Sequence, residues 1–153
     1  MENCNRVIKF RAWDKRLKAW LFNGEPFYPF GEVMTFDLID QYCLESKDKT
    51  KGETSLERKN DIEIVEFTGL HDKNGKEIYE GDIDKGSRVV KFGEFSYLNG
   101  EDHYSRDVYE DGYGYYTEDK YLRQYKINEN SLEIIGNIYE NPELLEVSRN
   151  DSL

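Results

Sequence analysis

His71 and His103 are the side chains best suited to exchange protons at neutral pH, and 32 residues separate them. A catalytic imidazole needs a carboxylate to orient it and a reacting group within hydrogen-bond reach. His71-Asp72 lies in a turn and His103 in an acidic, Tyr-rich stretch, so neighbouring residues equip neither one for catalysis. Glu101-Asp102 and Glu110-Asp111 could offer oxygen ligands to a hard cation, but they lack calcium-loop spacing and read as a solvated acidic face. Cys4 and Cys43 have no second Cys or His at metal-binding distance in the sequence; apart from Arg6 beside Cys4, nothing would lower a thiol pKa. Three glycines recur at six-residue intervals in Thr68-Gly69-Leu70, Asn74-Gly75-Lys76 and Glu80-Gly81-Asp82. They fall between strand signals, without the Gly-Lys-Ser/Thr end of a phosphate loop, and are turn glycines. The expectation is a protein with no catalytic residues, cofactor or metal.

The elements that must position these residues are mainly strands. Ile8, Phe10 and Ala12 alternate with Lys9, Arg11 and Trp13; Asp14-Lys15-Arg16 gives a polar turn before Ala19 to Phe22, so the chain opens with a β-hairpin. Asn23-Gly24 is a turn, and Pro26 and Pro29 make an extended connection. Glu32 to Tyr42 reads as a strand in preference to a short helix. Residues 45 to 61 hold one apolar residue in 17, Leu56, and read as a polar loop or linker. Strands follow at Ile62 to Thr68, Lys76 to Tyr79, Arg88 to Phe92, Tyr121 to Ile127 and Leu132 to Ile138. Gly112 and Gly114 mark a turn or insert, Asn128 to Ser131 a turn, and Asn141-Pro142-Glu143 a helix start, with Asn capping and Pro at the first helical position. No internal repeat of useful period is evident. The expected organisation is an N-terminal β lobe at 1–44, the linker at 45–61, a β-rich lobe at 62–147 and a tail at 148–153.

Composition narrows the class. The 153 residues carry a net charge of -11, yet 22 are aromatic, and disordered chains are aromatic-poor. Eight of the twelve tyrosines fall between 97 and 125. Residues 1–20 carry +4, while 21–46 and 101–120 each carry -5. Acidic surface repels phosphate backbones, which disfavours nucleic acid as a partner, with the basic hairpin (Lys9, Arg11, Lys15, Arg16, Lys18) as the local exception. No run approaches the roughly 18 to 20 apolar residues of a membrane span, and the N-terminus lacks an apolar signal core, so a cytoplasmic protein with free thiols is expected.

Three segments in the same order resemble the YopX family of phage and prophage proteins: Phe10-Arg11-Ala12-Trp13-Asp14, Phe67 through Ile83, and Ile135 through Leu144. The middle one, with Thr68-Gly69, Asn74-Gly75 and Tyr79-Glu80-Gly81-Asp82, is the most specific. The last holds Gly136-Asn137-Ile138-Tyr139-Glu140-Asn141-Pro142. The resemblance implies a bacterial cytoplasm during phage or prophage expression, a mostly β fold and self-association. Asp84-Lys85-Gly86 departs from the apolar continuation usual after Gly-Asp-Ile in the family, and the acidic Tyr-rich stretch is particular to this chain. Turn formation and aromatic anchoring account for the shared residues.

The combined expectation is a mostly β, α+β protein with curved antiparallel sheets or a small barrel and a short C-terminal helix or turn. Its expected role is that of a self-associating, non-enzymatic interaction protein, with a host or phage protein as a further possible partner. The alternatives are an acidic decoy of a DNA-binding protein and a nucleic-acid binder acting through the basic hairpin.

Overall fold

The computed structural model describes residues 7–29 and 36–146. The chain divides into two compact units between Gly69 and Leu70. Cys4 and the expected tail at 148–153 lie outside the described residues.

The first unit is built on three antiparallel strands. Strand β1 (Phe10–Asp14) lies between β2 (Ala19–Trp20) and β3 (Ile62–His71), with Trp13 opposite Trp20 and Ala12 opposite Ile64. The opening hairpin is therefore present, although Leu21–Gly24 closes as a 3-10 turn instead of extending the second strand. Ala12, Leu21, Phe27, Ile39 and Cys43 form the core, with Phe10 and Phe36 packed against it. Phe27 and Phe36 meet edge-on at 5.0 Å.

Two expectations for this unit are corrected. Phe36–Ser46 is a helix, α1, not part of a strand; its buried residues Ile39 and Cys43 recur at helical spacing, and this outweighs the β-branched content. The 45–61 stretch contains a 3-10 turn at Lys49–Lys51 and a second helix, α2 (Ser55–Lys59). Thr54 and Glu57 start α2 with a reciprocal capping box, a signal of polar residues that an apolar-pattern reading passes over. Its contribution to the interior is a charged one, since Arg58 is buried.

The second unit takes in the last residues of β3, β4 (Glu77–Tyr79), β5 (Asp82–Asp84), β6 (Val89–Glu101), β7 (Asp107–Glu118), β8 (Gln124–Lys126) and β9 (Ile134–Asn137). Strands β5 to β9 form one sheet in the order β7-β8-β6-β5-β9, with β6 also pairing β7. Ile78, Val90, Leu132 and Ile134 make its core. Gly112 and Gly114 sit inside β7, so the expected turn there is corrected to continuous strand. A 3-10 turn at Pro142–Leu145 ends the described chain; Asn141 does not cap it and accepts a bond from the Asn137 N–H at 3.3 Å.

One five-residue turn is used four times in this unit: Asp72–Lys76, Asp84–Arg88, Asp102–Arg106 and Asp119–Arg123. In each, one Asp oxygen accepts from the N–H groups of the third and fifth residues. The Asp carbonyl accepts from the fourth residue, which has positive φ: Gly75 at 81°, Ser87 at 58°, Ser105 at 58° and Leu122 at 63°. Where the fifth residue is Arg, its Nε returns to the other carboxylate oxygen at 2.7 to 2.9 Å. In the first turn, that oxygen instead accepts from the Ile134 N–H at 3.0 Å. Short polar side chains that mimic a backbone acceptor explain why Asp opens every copy.

Candidate interaction surface

The shared-motif residues fall into local clusters. In the first unit, Asp14 is 0% exposed; Arg58 and the Tyr42 hydroxyl, at 2.6 Å, both donate to its Oδ2. Burial pushes this carboxyl up, but the bonds from Arg58, Tyr42 and the Leu17 N–H outweigh it and hold the carboxyl below its ordinary value. Trp13 packs edge-on against Trp20 at 5.1 Å. Thr68 is buried and Gly69 takes φ 84°.

In the second unit, Asn74 and Gly75 belong to the first of the repeated turns. Asp82 accepts from the Tyr79 N–H at 2.8 Å and pairs with Asn137 across β5 and β9. A side chain at Gly81 (φ 87°) would meet the Tyr139 ring at 3.1 Å, and one at Gly136 would meet Asn141 Oδ1 at 2.5 Å. Asn137 Oδ1 accepts from the N–H groups of Tyr139 and Glu140, and Pro142 starts the final 3-10 turn. These residues lock β5, β9 and the end of the chain together.

The chemical candidates remain apart from one another. Within the second unit, His71 precedes the first repeated turn, and its N–H donates to Glu129. His103 lies in the third, its ring 3.8 Å from that of Tyr104. Glu110 accepts from Tyr97 and Asn99, and Asp102 from Arg106. No group of three metal-ligating side chains gathers among the described residues. Cys43 is buried in the first core, and burial raises its thiol pKa.

Two of the basic hairpin's side chains are paired with carboxylates within its own unit. Lys15 pairs with Glu63 at 3.2 Å, and Arg16 reaches both Glu53 and Asp61. Lys9 lies over Phe67 and Arg11 over Trp20. The hydrogen bond from Arg16, helped by the Asp48 N–H, holds the Glu53 carboxyl down at about 2. A +4 stretch of sequence is thus not a +4 surface.

The feature that stands out is the β6–β7 ribbon. Its strands pair from Val89–Glu118 to Glu101–Asp107, and every residue from 98 to 111 is exposed except the half-buried Asp102. A two-stranded ribbon in water gains little stability of its own, yet this one displays Leu98, Tyr104, Val108, Tyr109 and Tyr113. It also bends. Phe95 and Tyr116 lie four residues out of register, roughly 13 Å apart in a straight ribbon; their rings stack at 5.0 Å. Gln124 pairs with Glu118 on β7 and with Tyr97 on β6, although Tyr97 is opposite Glu110, eight residues further along. The fold-back occurs at Gly93 and Gly114, which face each other with φ 147° and 141°, a conformation only glycine adopts freely. Phe95 covers Gly112, where an added Cβ would lie 2.6 Å from the ring.

Where the folded ribbon meets β8, the surface is cleft on both sides. Clefts of about 680 and 670 Å³ flank the seam, and Gln124 borders both. Tyr97, Tyr125 and Lys126 line the first; Phe95, Asp111 and Tyr113 line the second. Sequence reasoning singled out the tyrosine concentration but not the bend, whose signal is a Gly in each strand at matching register.

No curated protein matches the chain. Among solved structures, the chain is similar to protein EF1440 from Enterococcus faecalis, at 24% identity and a TM-score of 0.41, over 91% of this chain and 98% of that one. The model of the YopX protein family matches residues 9–146, and the chain belongs to that family.

Proposed function

We propose that this chain is a non-enzymatic, phage- or prophage-encoded protein of the bacterial cytoplasm that associates with itself, and that the β6–β7 ribbon is the element that meets a second copy. The observation that carries this reading is the ribbon from 98 to 111, which is solvent-exposed and still displays Leu98, Tyr104, Val108 and Tyr109. Such a ribbon gains stability only when something covers it. Light scattering on the purified chain tests the reading: a mass above 18.1 kDa is expected at micromolar concentration. Replacing residues 99–108 with a short Asn-Gly turn should return the protein to a monomer with its far-UV spectrum retained. A monomeric wild-type chain removes the proposal.

The acidic-decoy alternative draws on the same ribbon, which carries Glu101, Asp102, Asp107, Glu110 and Asp111. Its partner would be a basic protein surface, with binding that weakens as salt rises. The nucleic-acid alternative draws less support, because Lys15 and Arg16 already have carboxylate partners.

A further inference from the structure

Resting on that self-association, we infer that two copies join by exchanging ribbon tips: each ribbon unfolds at Gly93 and Gly114 and lays its outer part against β8 of the other copy. Three independent observations lead there. The hinge is built into both strands at one register, and a Cβ added at either glycine would meet nothing within 4 Å, so the space beside both hinge positions is open. The folded tip is attached to its own unit by few groups: one Tyr97–Gln124 backbone pairing, the Ser96 N–H on Gln124 Oε1 at 2.9 Å, Lys126 over Tyr97 at 5.8 Å and attracted to Glu110, the Phe95–Tyr116 stack and the Phe92–Tyr113 edge contact at 5.3 Å. The seam it closes is flanked by the two clefts already described, so solvent already reaches both of its sides.

Every one of those contacts joins a residue beyond the hinge (95, 96, 97, 110 or 113) to one outside the tip (92, 116, 124 or 126). A second copy offers the same residues in the same geometry. Exchange therefore replaces each lost contact with its identical counterpart, and the two-fold arrangement closes on itself without leaving an open edge. The exchanged form also brings two extended ribbons alongside each other, where Leu98 and Tyr109, opposite each other in register, can be covered. The closed monomer leaves both exposed.

A cross-link decides the matter. Tyr97 and Gln124 are paired across β6 and β8, a separation suited to a disulfide. The double variant Tyr97→Cys/Gln124→Cys, made with Cys4→Ser, is fractionated by size, oxidised and run on a denaturing gel without reductant. Exchange predicts that the dimer fraction migrates as a covalent dimer and returns to monomer on reduction. A dimer fraction that migrates as an internally linked monomer overturns exchange while leaving self-association intact. A wild-type chain that is monomeric throughout overturns both. If loss of the Tyr97 ring prevents folding, Ser96→Cys with Gln124→Cys repeats the test at the neighbouring contact, with the same outcomes deciding.

Discussion

Asp14 and Arg58 form an ion pair with neither side chain more than 1% exposed. Removing one partner from such a pair strands a buried charge, which costs about 3–5 kcal/mol. Arg58 Nε has no acceptor among the described residues and its other terminal nitrogen reaches Asp61 only at 3.5 Å, so Asp14 supplies most of the guanidinium's compensation. Asp14→Ala should therefore lower the urea midpoint sharply, and pairing it with Arg58→Met should recover much of the loss. A single variant as stable as wild type would show that the charge finds water. The same carboxyl gives a pH signature. Its folded value lies below the ordinary aspartate value of about 3.9, so the unfolded chain takes up the proton first as pH falls. The stabilisation is complete above that ordinary value and is lost as pH drops through the folded one. Asp72, Asp119 and Glu118 are also held low, with the same sign. Melting temperature should be nearly level from pH 7 to about 5 and fall steeply below about 4. A melting temperature unchanged at pH 3 would count against it.

At the scale of elements, the repeated Asp turn makes its own prediction. Leu122 holds the positive-φ position in the fourth copy and is exposed, so its side chain earns little packing in return for the left-handed backbone. Leu122→Gly should stabilise the protein by roughly 0.5–1 kcal/mol, after allowing for glycine's extra chain entropy. Gly136→Ala should do the opposite. Its Cβ would lie 2.5 Å from Asn141 Oδ1 and 2.8 Å from Leu144 Cδ1, and overpacking of this kind costs about 1–3 kcal/mol. Chemical denaturation of both variants checks the pair. Elements whose signal is local were legible in the sequence: the Asp14 turn, the strand at Ile62, and the Asn74-Gly75 turn. Helix α2 was not, because its start is written in Thr54 and Glu57 and its anchor is a charge whose partner, Asp14, is 44 residues away. The four Asp turns escaped notice because their shared pattern is two or three side chains spread over varied fillers. Asp-Lys-Asn-Gly-Lys and Asp-Lys-Tyr-Leu-Arg look alike only once their hydrogen bonds are seen.

For the whole molecule, the net charge of -11 separates the two ribbon-based readings by the sign of their response to salt. Two identical acidic chains repel each other, and the ribbon tip adds Glu101, Asp102, Asp107, Glu110 and Asp111 to that repulsion. Most of the contacts proposed to hold an exchanged pair are aromatic stacks, a backbone pairing and amide bonds, which screening barely weakens; the one cation involved, Lys126 near Tyr97 and Glu110, is outweighed by the acidic groups that repel. Added salt shortens the Debye length from about 30 Å at 0.01 M to about 8 Å at 0.15 M. Self-association should therefore strengthen over that range, with the monomer–dimer midpoint moving to lower protein concentration. Binding of a basic partner should weaken over the same range, because the attraction being screened is the one that drives it. Sedimentation equilibrium at the two ionic strengths, over one protein concentration series, gives the answer directly. A dimer that dissociates as salt is added would mean that ion pairs between copies hold it together, and the exchanged ribbon would then not be its main support.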